Sequence, residues 1–319
     1  MNGKTVGQGR AVSSASTSLH AARVGWQAGV GYLLVAGVIL LAGCGEDSQE
    51  ANSATHVSTT VPSADSVSGT KAALPAASEA SSTPAASWKQ TPIYAFLHQP
   101  FEEAVQPVVP MGARRPPDVT ITGKSVGKLY EEVKRRWSEI TFATPSGTLR
   151  QPIAVMDTEL GELELALRPE IAPNHVRAFV ALVESGYYDG LFFEIRLGDR
   201  NERALPRAIG GGSPEANAQD AASIGFWLKP EILLPEQAKA RGVRHQAGTL
   251  FCHWLGCFFY IGLNEAPMWD GEFVIFGEVV RNIEVAERIY DRLGDEGNPP
   301  QIRSMRITWR DTGKPVSEL

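Results

Sequence analysis

Residues 168–194, RPEIAPNHVRAFVALVESGYYDGLFFE, place a strand exit, an amphipathic helix and a new strand in tight succession. Pro169 and Pro173 end the preceding extended segment, and Asn174 is positioned to cap a helix. Val176, Phe179, Val180 and Val183 recur at helical spacing, so that helix buries one face. Gly186 stops it, and Tyr187 to Gly190 form a turn. Leu191, Phe192 and Phe193 then begin an extended apolar run.

The flanking segments carry a two-residue period. Val155 to Leu167 alternates as a hairpin turning at Leu160 to Glu162, and Ile302 to Trp309 alternates as a final strand. Between them lie Ile209 to Pro214 (IGGGSP), Gly225 to Glu231, Gly248 to Leu250, the pair Phe258 and Phe259, and Trp269 to Val279 (WDGEFVIFGEV). Ile283, Val285, Ala286 and Ile289 form one more helical stripe.

In order and spacing these landmarks resemble the cyclophilin-type peptidyl-prolyl isomerases. That family carries an AP-x-x-V-x-x-F helix, a G-[FY]-Y-D-G turn, then I-Q-G-G-D-P, S-Q-F-F-I and L-D-G-x-x-x-x-F-G-x-V elements. The resemblance implies a mainly β fold: a closed eight-stranded antiparallel barrel capped by two helices, with a groove on its outer surface.

It also implies a reaction. Rotation about an X-Pro amide is slow because the bond must lose its partial double-bond character, so a catalyst has to bind the twisted amide better than the planar one. The family does this with a guanidinium, polar donors and an apolar proline pocket. Here the run after Gly190 is Leu191, Phe192, Phe193, Glu194, Ile195, Arg196. Ile195 therefore occupies the family's arginine position, and Arg196, the candidate catalytic residue, comes one residue late. Strand side chains alternate, so Arg196 faces the wrong way unless a bulge restores it. Gly210 and Cys257 replace the family's two glutamines, Met268 stands at its tryptophan and Phe273 at its histidine. The candidate substrate-binding residues are Phe259, Met268 and Phe273 for a proline pocket, Trp254 for the wall of a shortened loop, and Gly211 and Gly212 for groove shape.

Cys252 and Cys257 flank that shortened loop. They are either a disulfide or two buried free thiols. His245 and His253 match no standard zinc spacing, and the family uses no metal or cofactor. The carboxylates Asp157, Glu159, Glu162 and Glu164 read as the polar face of a hairpin, and His175 as an exposed helix residue. No G-x-S-x-G, H-E-x-x-H or phosphate-binding loop is present.

Residues 1–44 read as a bacterial lipoprotein signal. Lys4, Arg10 and Arg23 precede an apolar run ending in Leu-Ala-Gly-Cys, with Cys44 as the lipidated residue; an uncleaved anchor is the alternative. Residues 45–87 are more than half Ala, Ser and Thr, a composition expected of a disordered tether. Residues 88–149 comprise a Pro-rich segment and an amphipathic helix, Ser125 to Ile140, striped by Val126, Leu129, Val133 and Trp137. Residues 150–312 carry the cyclophilin-like pattern. The formal net charge of -6 without a basic stripe argues against nucleic acid.

The expectation is an exported, lipid-anchored isomerase of the cell envelope with a degenerate groove. Its partners would be proline-containing or extended segments of exported proteins. The alternative is a non-catalytic prolyl-peptide-binding or scaffold lipoprotein.

Overall fold

Eight antiparallel strands form one sheet in the order β3-β4-β6-β5-β7-β2-β1-β8. A computed structural model describes residues 88–202, 204–215, 223–253, 256–294 and 298–319. The signal and lipidation expected of residues 1–44 with Cys44, the tether expected at 45–87, and Trp254 lie outside the described residues.

The chain opens with short helices α1 (Pro92–Leu97) and α2 (Phe101–Ala104), then α3 (Val126–Trp137). Strands β1 (Thr148–Thr158) and β2 (Gly161–Leu167) make the expected hairpin, with Gly161 at φ 129° where side chains are disfavoured. Helix α4 (Pro173–Glu184) follows, then β3 (Phe193–Leu197) and β4 (Ala208–Gly211). After α5 (Pro235–Ala240) come β5 (Thr249–Cys252), β6 (Phe259–Gly262) and β7 (Val274–Arg281). Helix α6 (Ile283–Gly294) and β8 (Ile302–Pro315) complete the fold.

The closed barrel expected from the sequence is not made by a continuous ladder. Strands β3 and β8 are the two ends of the order, and they meet at one isolated bridge, Phe192 to Gln301. Backbone hydrogen bonds flank it: Ile302 N–H to Leu191 O at 2.8 Å and Phe193 N–H to Pro300 O at 2.9 Å. Both sit just outside or at the start of the strands, so the seam is short.

Helix α4 packs across β1, β7 and β8, and α6 against β2, β3 and β4. Phe179 of α4 meets Phe259 edge-on at 5.8 Å and Phe276 at 5.4 Å, which places β6 and β7 under the helix. The expected stripe of α3 is observed: Val126, Leu129, Val133 and Trp137 are buried, and the helix lies on α4.

Three local expectations are corrected. Asn174 does not cap α4. Pro173 takes the first helical position, and the free N–H groups of Asn174 and His175 are met instead by the Glu231 carboxylate at 3.0–3.1 Å. His175 is buried rather than exposed, because its Nδ1 also bonds that carboxylate at 2.7 Å. The segment Gly225 to Glu231, which stands where the family's pattern places a G-Y-x-x-x-x-E strand, is no strand here. It makes a single bridge, Leu228 to Val105, which ties the residues after α2 to the domain.

Candidate functional site

Alternation along the strands sorts the sheet into two faces. On the inner face Phe193, Ile209, Leu250, Cys252, Phe259, Ile261, Val274 and Phe276 join the main core. On the other face Ala208, Phe251, Phe258 and Tyr260 form a separate cluster, against which Ile195, Leu197, Trp269, Phe273 and Ile275 pack.

Arg196 falls on the inner parity. A bulge between Phe193 and Ile195 shifts the register of β3 against β4 and breaks the alternation that starts from the inward Phe193. Ile195 and Leu197 therefore point outward, while Arg196 pairs with Ile209. Its guanidinium lies over the Tyr290 ring of α6, 4.3 Å from the centroid. Arg200 and Arg207 reach the same ring at 5.9 and 5.2 Å, and both pair with Glu287. Arg196 is thus not brought together with the outer-face residues named from the sequence.

Phe259 is displaced for the same reason of parity. It is 1% exposed and packs edge-on against Phe179, Tyr188 and Phe193. The outward ring of β6 is Tyr260, with Phe258 preceding it. Leu250 belongs to the core and pairs with Ile261, which sends Phe251 and Tyr260 to the opposite face, a pairing that local sequence periodicity does not fix.

The outer cluster is filled by its own side chains. Phe251 and Tyr260 stack at 5.2 Å with an interplanar angle of 14°, and Phe258 meets Tyr260 at 5.1 Å. Trp269 and Phe273 close on Phe251 at 5.2 and 5.5 Å. Gly210, at the family's glutamine position, makes this packing feasible. A Cβ there would sit 2.8 Å from Phe258 and 2.9 Å from Tyr260. Phe273 is on this face, whereas Met268 is 56% exposed and lies outside the cluster. Gly211 and Gly212 are buried close-approach positions: a Cβ would lie 2.7 Å from Phe192 O at the first and 2.8 Å from Cys257 O at the second.

His245 sits under the aromatic rings, edge-on to Phe251 at 5.0 Å, and its Nδ1 bonds Asp270 at 2.8 Å. Burial lowers its pKa and outweighs the neighbouring carboxylate, so the imidazole is neutral and Nδ1–H donates. The void it shares with Phe273 is about 10 Å³, no larger than about one water molecule. Cys252 and Cys257 are buried thiols that are not joined in a disulfide. Burial pushes Cys257 up to about 12 and raises Cys252 as well. Among the described residues no group of His, Cys, Asp and Glu is arranged to hold a metal ion.

Comparison with known proteins agrees with the order of these elements. Residues 153–309 match the family model described as cyclophilin type peptidyl-prolyl cis-trans isomerase/CLD. The chain is 30% identical over 156 residues to peptidyl-prolyl cis-trans isomerase CYP18-1 of Arabidopsis thaliana, covering 48% of this chain and 92% of that protein. It is 30% identical over 149 residues to peptidyl-prolyl cis-trans isomerase-like 2 of Gibberella zeae, covering 46% of this chain but only 24% of that longer protein. A crystal structure of a Cryptosporidium parvum cyclophilin type peptidyl-prolyl cis-trans isomerase is similar at 20% identity and a TM-score of 0.40, over 50% of this chain and 98% of that one. Residues 153–309 make this chain a member of the cyclophilin-type peptidyl-prolyl cis-trans isomerase family.

Proposed function

We propose that this chain is a cyclophilin-family module that holds extended, proline-containing polypeptide segments against its aromatic outer face, with isomerase turnover reduced to near the uncatalysed rate. The observation that carries this reading is the pair of opposed placements on β3. Ile195 faces the aromatic cluster, and Arg196 faces Tyr290 on the other side. A guanidinium lowers the rotation barrier only where it reaches the amide in its twisted state. One on the far face of the strand cannot do so. Aromatic surfaces remain suited to proline rings and polyproline II segments, which present flat apolar faces at low entropic cost. The partly exposed edges of Trp269 and Phe273, with Met268 beside them in sequence, offer such a surface.

The partners fitting this module are proline-containing segments of exported proteins. The Leu-Ala-Gly-Cys sequence ending at Cys44 supports a lipid anchor in a bacterial envelope. Loss of metabolic fatty-acid labelling in Cys44→Ala, with release from the membrane fraction, is the expected outcome; unchanged labelling refutes the anchor.

The activity is tested with a fluorogenic Xaa-Pro tetrapeptide followed through cis-trans relaxation, alongside a binding titration of a proline-rich peptide. The expected result is relaxation within about twofold of buffer, with saturable binding weakened by Trp269→Ala. Strong acceleration that Arg196→Ala abolishes overturns the non-catalytic assignment. Absence of any binding overturns the module.

A further inference from the structure

Arg177 is the largest of the fully buried side chains, 1% exposed on α4. Its position is unusual for a cation. The guanidinium lies between the rings of Trp137 and Phe142, 5.4 and 4.9 Å from their centroids. Its hydrogen-bond acceptors are all neutral: Nε–H donates to Ile140 O at 3.3 Å, one Nη1–H to Asn174 Oδ1 at 3.4 Å, and one Nη2–H to Leu97 O. No carboxylate among the described residues stands within ion-pair distance of it. Three of its five N–H groups are engaged, which leaves one on each terminal nitrogen. Burial lowers the pKa of Arg177 to about 10, and the charge of Glu231, which lies beyond ion-pair distance, offsets this only in part.

The same guanidinium borders the open space between the N-terminal helices and the domain. A cavity of about 420 Å³ is walled by Tyr94, Phe101, Trp137 and Ile140, with Gln99 and Ser138 among its polar groups and Arg177 at its base. At its rim Lys134 and Glu102 neutralise each other at 3.0 Å. Its volume is in the range of small-molecule sites, and it sets aromatic walls beside polar and charged groups.

We infer that this cavity is a binding site for a small carboxylate with an aromatic or aliphatic body, the acid group meeting the two free N–H groups of Arg177 and the body lying against Trp137 and Phe101. A carboxylate accepts two parallel N–H bonds from one guanidinium and supplies a hydrogen-bonded countercharge, closer than Glu231, in a place of low dielectric. A neutral isostere supplies only the apolar contact. The site lies on the far side of α4 from the sheet core, built by α1, α2 and α3, and is independent of the aromatic outer face.

The test is a titration of the protein with phenylacetate and, separately, with phenylacetamide. It is read by the NMR shift of the Trp137 indole N–H, which donates to Gln99 O at 2.9 Å on the cavity wall. Saturable binding of phenylacetate, with the amide at least about tenfold weaker, is expected. Ser138→Phe, at an exposed position on the rim, fills the cavity without touching the buried arginine. It should abolish binding while leaving the circular dichroism unchanged. Equal affinity for acid and amide, binding unaffected by Ser138→Phe, or no saturation of phenylacetate by about 10 mM overturns the assignment.

Discussion

Gly210→Ala measures how firmly the aromatic cluster fills the outer face. Gly210 lies in β4 with no left-handed backbone angle, so alanine can adopt its conformation. Taken alone, the exchange would stabilise the fold by about 0.4–1 kcal/mol through the unfolded chain. Opposing this, the new Cβ meets Phe258 Cε1 at 2.8 Å and Tyr260 Cδ1 and Cε1 at 2.9 Å. Carbon atoms prefer roughly 3.5–4.0 Å, so the rings must retreat by about 0.6–1.2 Å. Tyr260 cannot retreat freely, because it stacks on Phe251, which is itself held by Trp269 and Phe273. Overpacking of this kind costs about 1–3 kcal/mol, which exceeds the entropic gain and leaves a net loss of about 1–2 kcal/mol. In urea unfolding this lowers the midpoint by about 0.5–1 M for a slope near 2 kcal/mol/M. Gly127→Ala is the control. It lies in α3 with no atom within 4 Å of a new Cβ, and it should raise stability by about 0.5–1 kcal/mol. A midpoint for Gly210→Ala that is unchanged or raised would show that Phe258 and Tyr260 move aside easily, and the argument that the face is filled would fail.

Three other outcomes follow from the geometry. Glu231→Ala strands the N–H groups of Asn174 and His175 and the His175 ring at the buried start of α4, and should cost about 2–4 kcal/mol in the same unfolding assay; a loss under about 0.5 kcal/mol refutes that role. Ile195→Arg alone should leave isomerase activity at background, because Phe258 and Tyr260 occupy the space beside Gly210; a large gain in kcat/KM would show the space is open. Cys252 and Cys257 should resist an aromatic disulfide reagent at pH 8 until the protein unfolds. Because burial raises their pKa, the folded state keeps protons that the unfolded chain releases from about pH 8.5 upward. Stability contributed by the neutral thiols is therefore complete below that pH and falls as pH climbs toward the value of about 12 for Cys257. A flat profile over that range in the wild type, matching Cys252→Ser/Cys257→Ser, refutes it.

The accessory region has a physical role beyond covering α4. Trp137 Nε1–H donates to Gln99 O, Asn174 Nδ2–H donates to Gln99 Oε1, and Arg177 donates to Leu97 O and Ile140 O. Residues 97–99 and the end of α3 are thereby joined to the helix that supports the sheet. A single buried arginine makes two of these four hydrogen bonds, and the region belongs to the same compact unit as α4.

The hairpin of β1 and β2, helix α4 with its Gly186 stop, the buried stripe of α3 and the membership of the family were all legible in the amino-acid sequence. Each rests on a local period or a local motif, and such signals survive without knowledge of distant partners. The direction of Arg196 depended on a bulge between Phe193 and Ile195, and the exchange of Phe259 for Tyr260 on the outer face depended on which residue of β5 stands opposite. A one-residue change of register turns every side chain over, and register is set by pairing between strands far apart in the chain. Glu231 reaching the start of α4 across more than fifty residues, and the cation buried at Arg177, were likewise decided only when tertiary structure brought a charge and its distant acceptors or donors together.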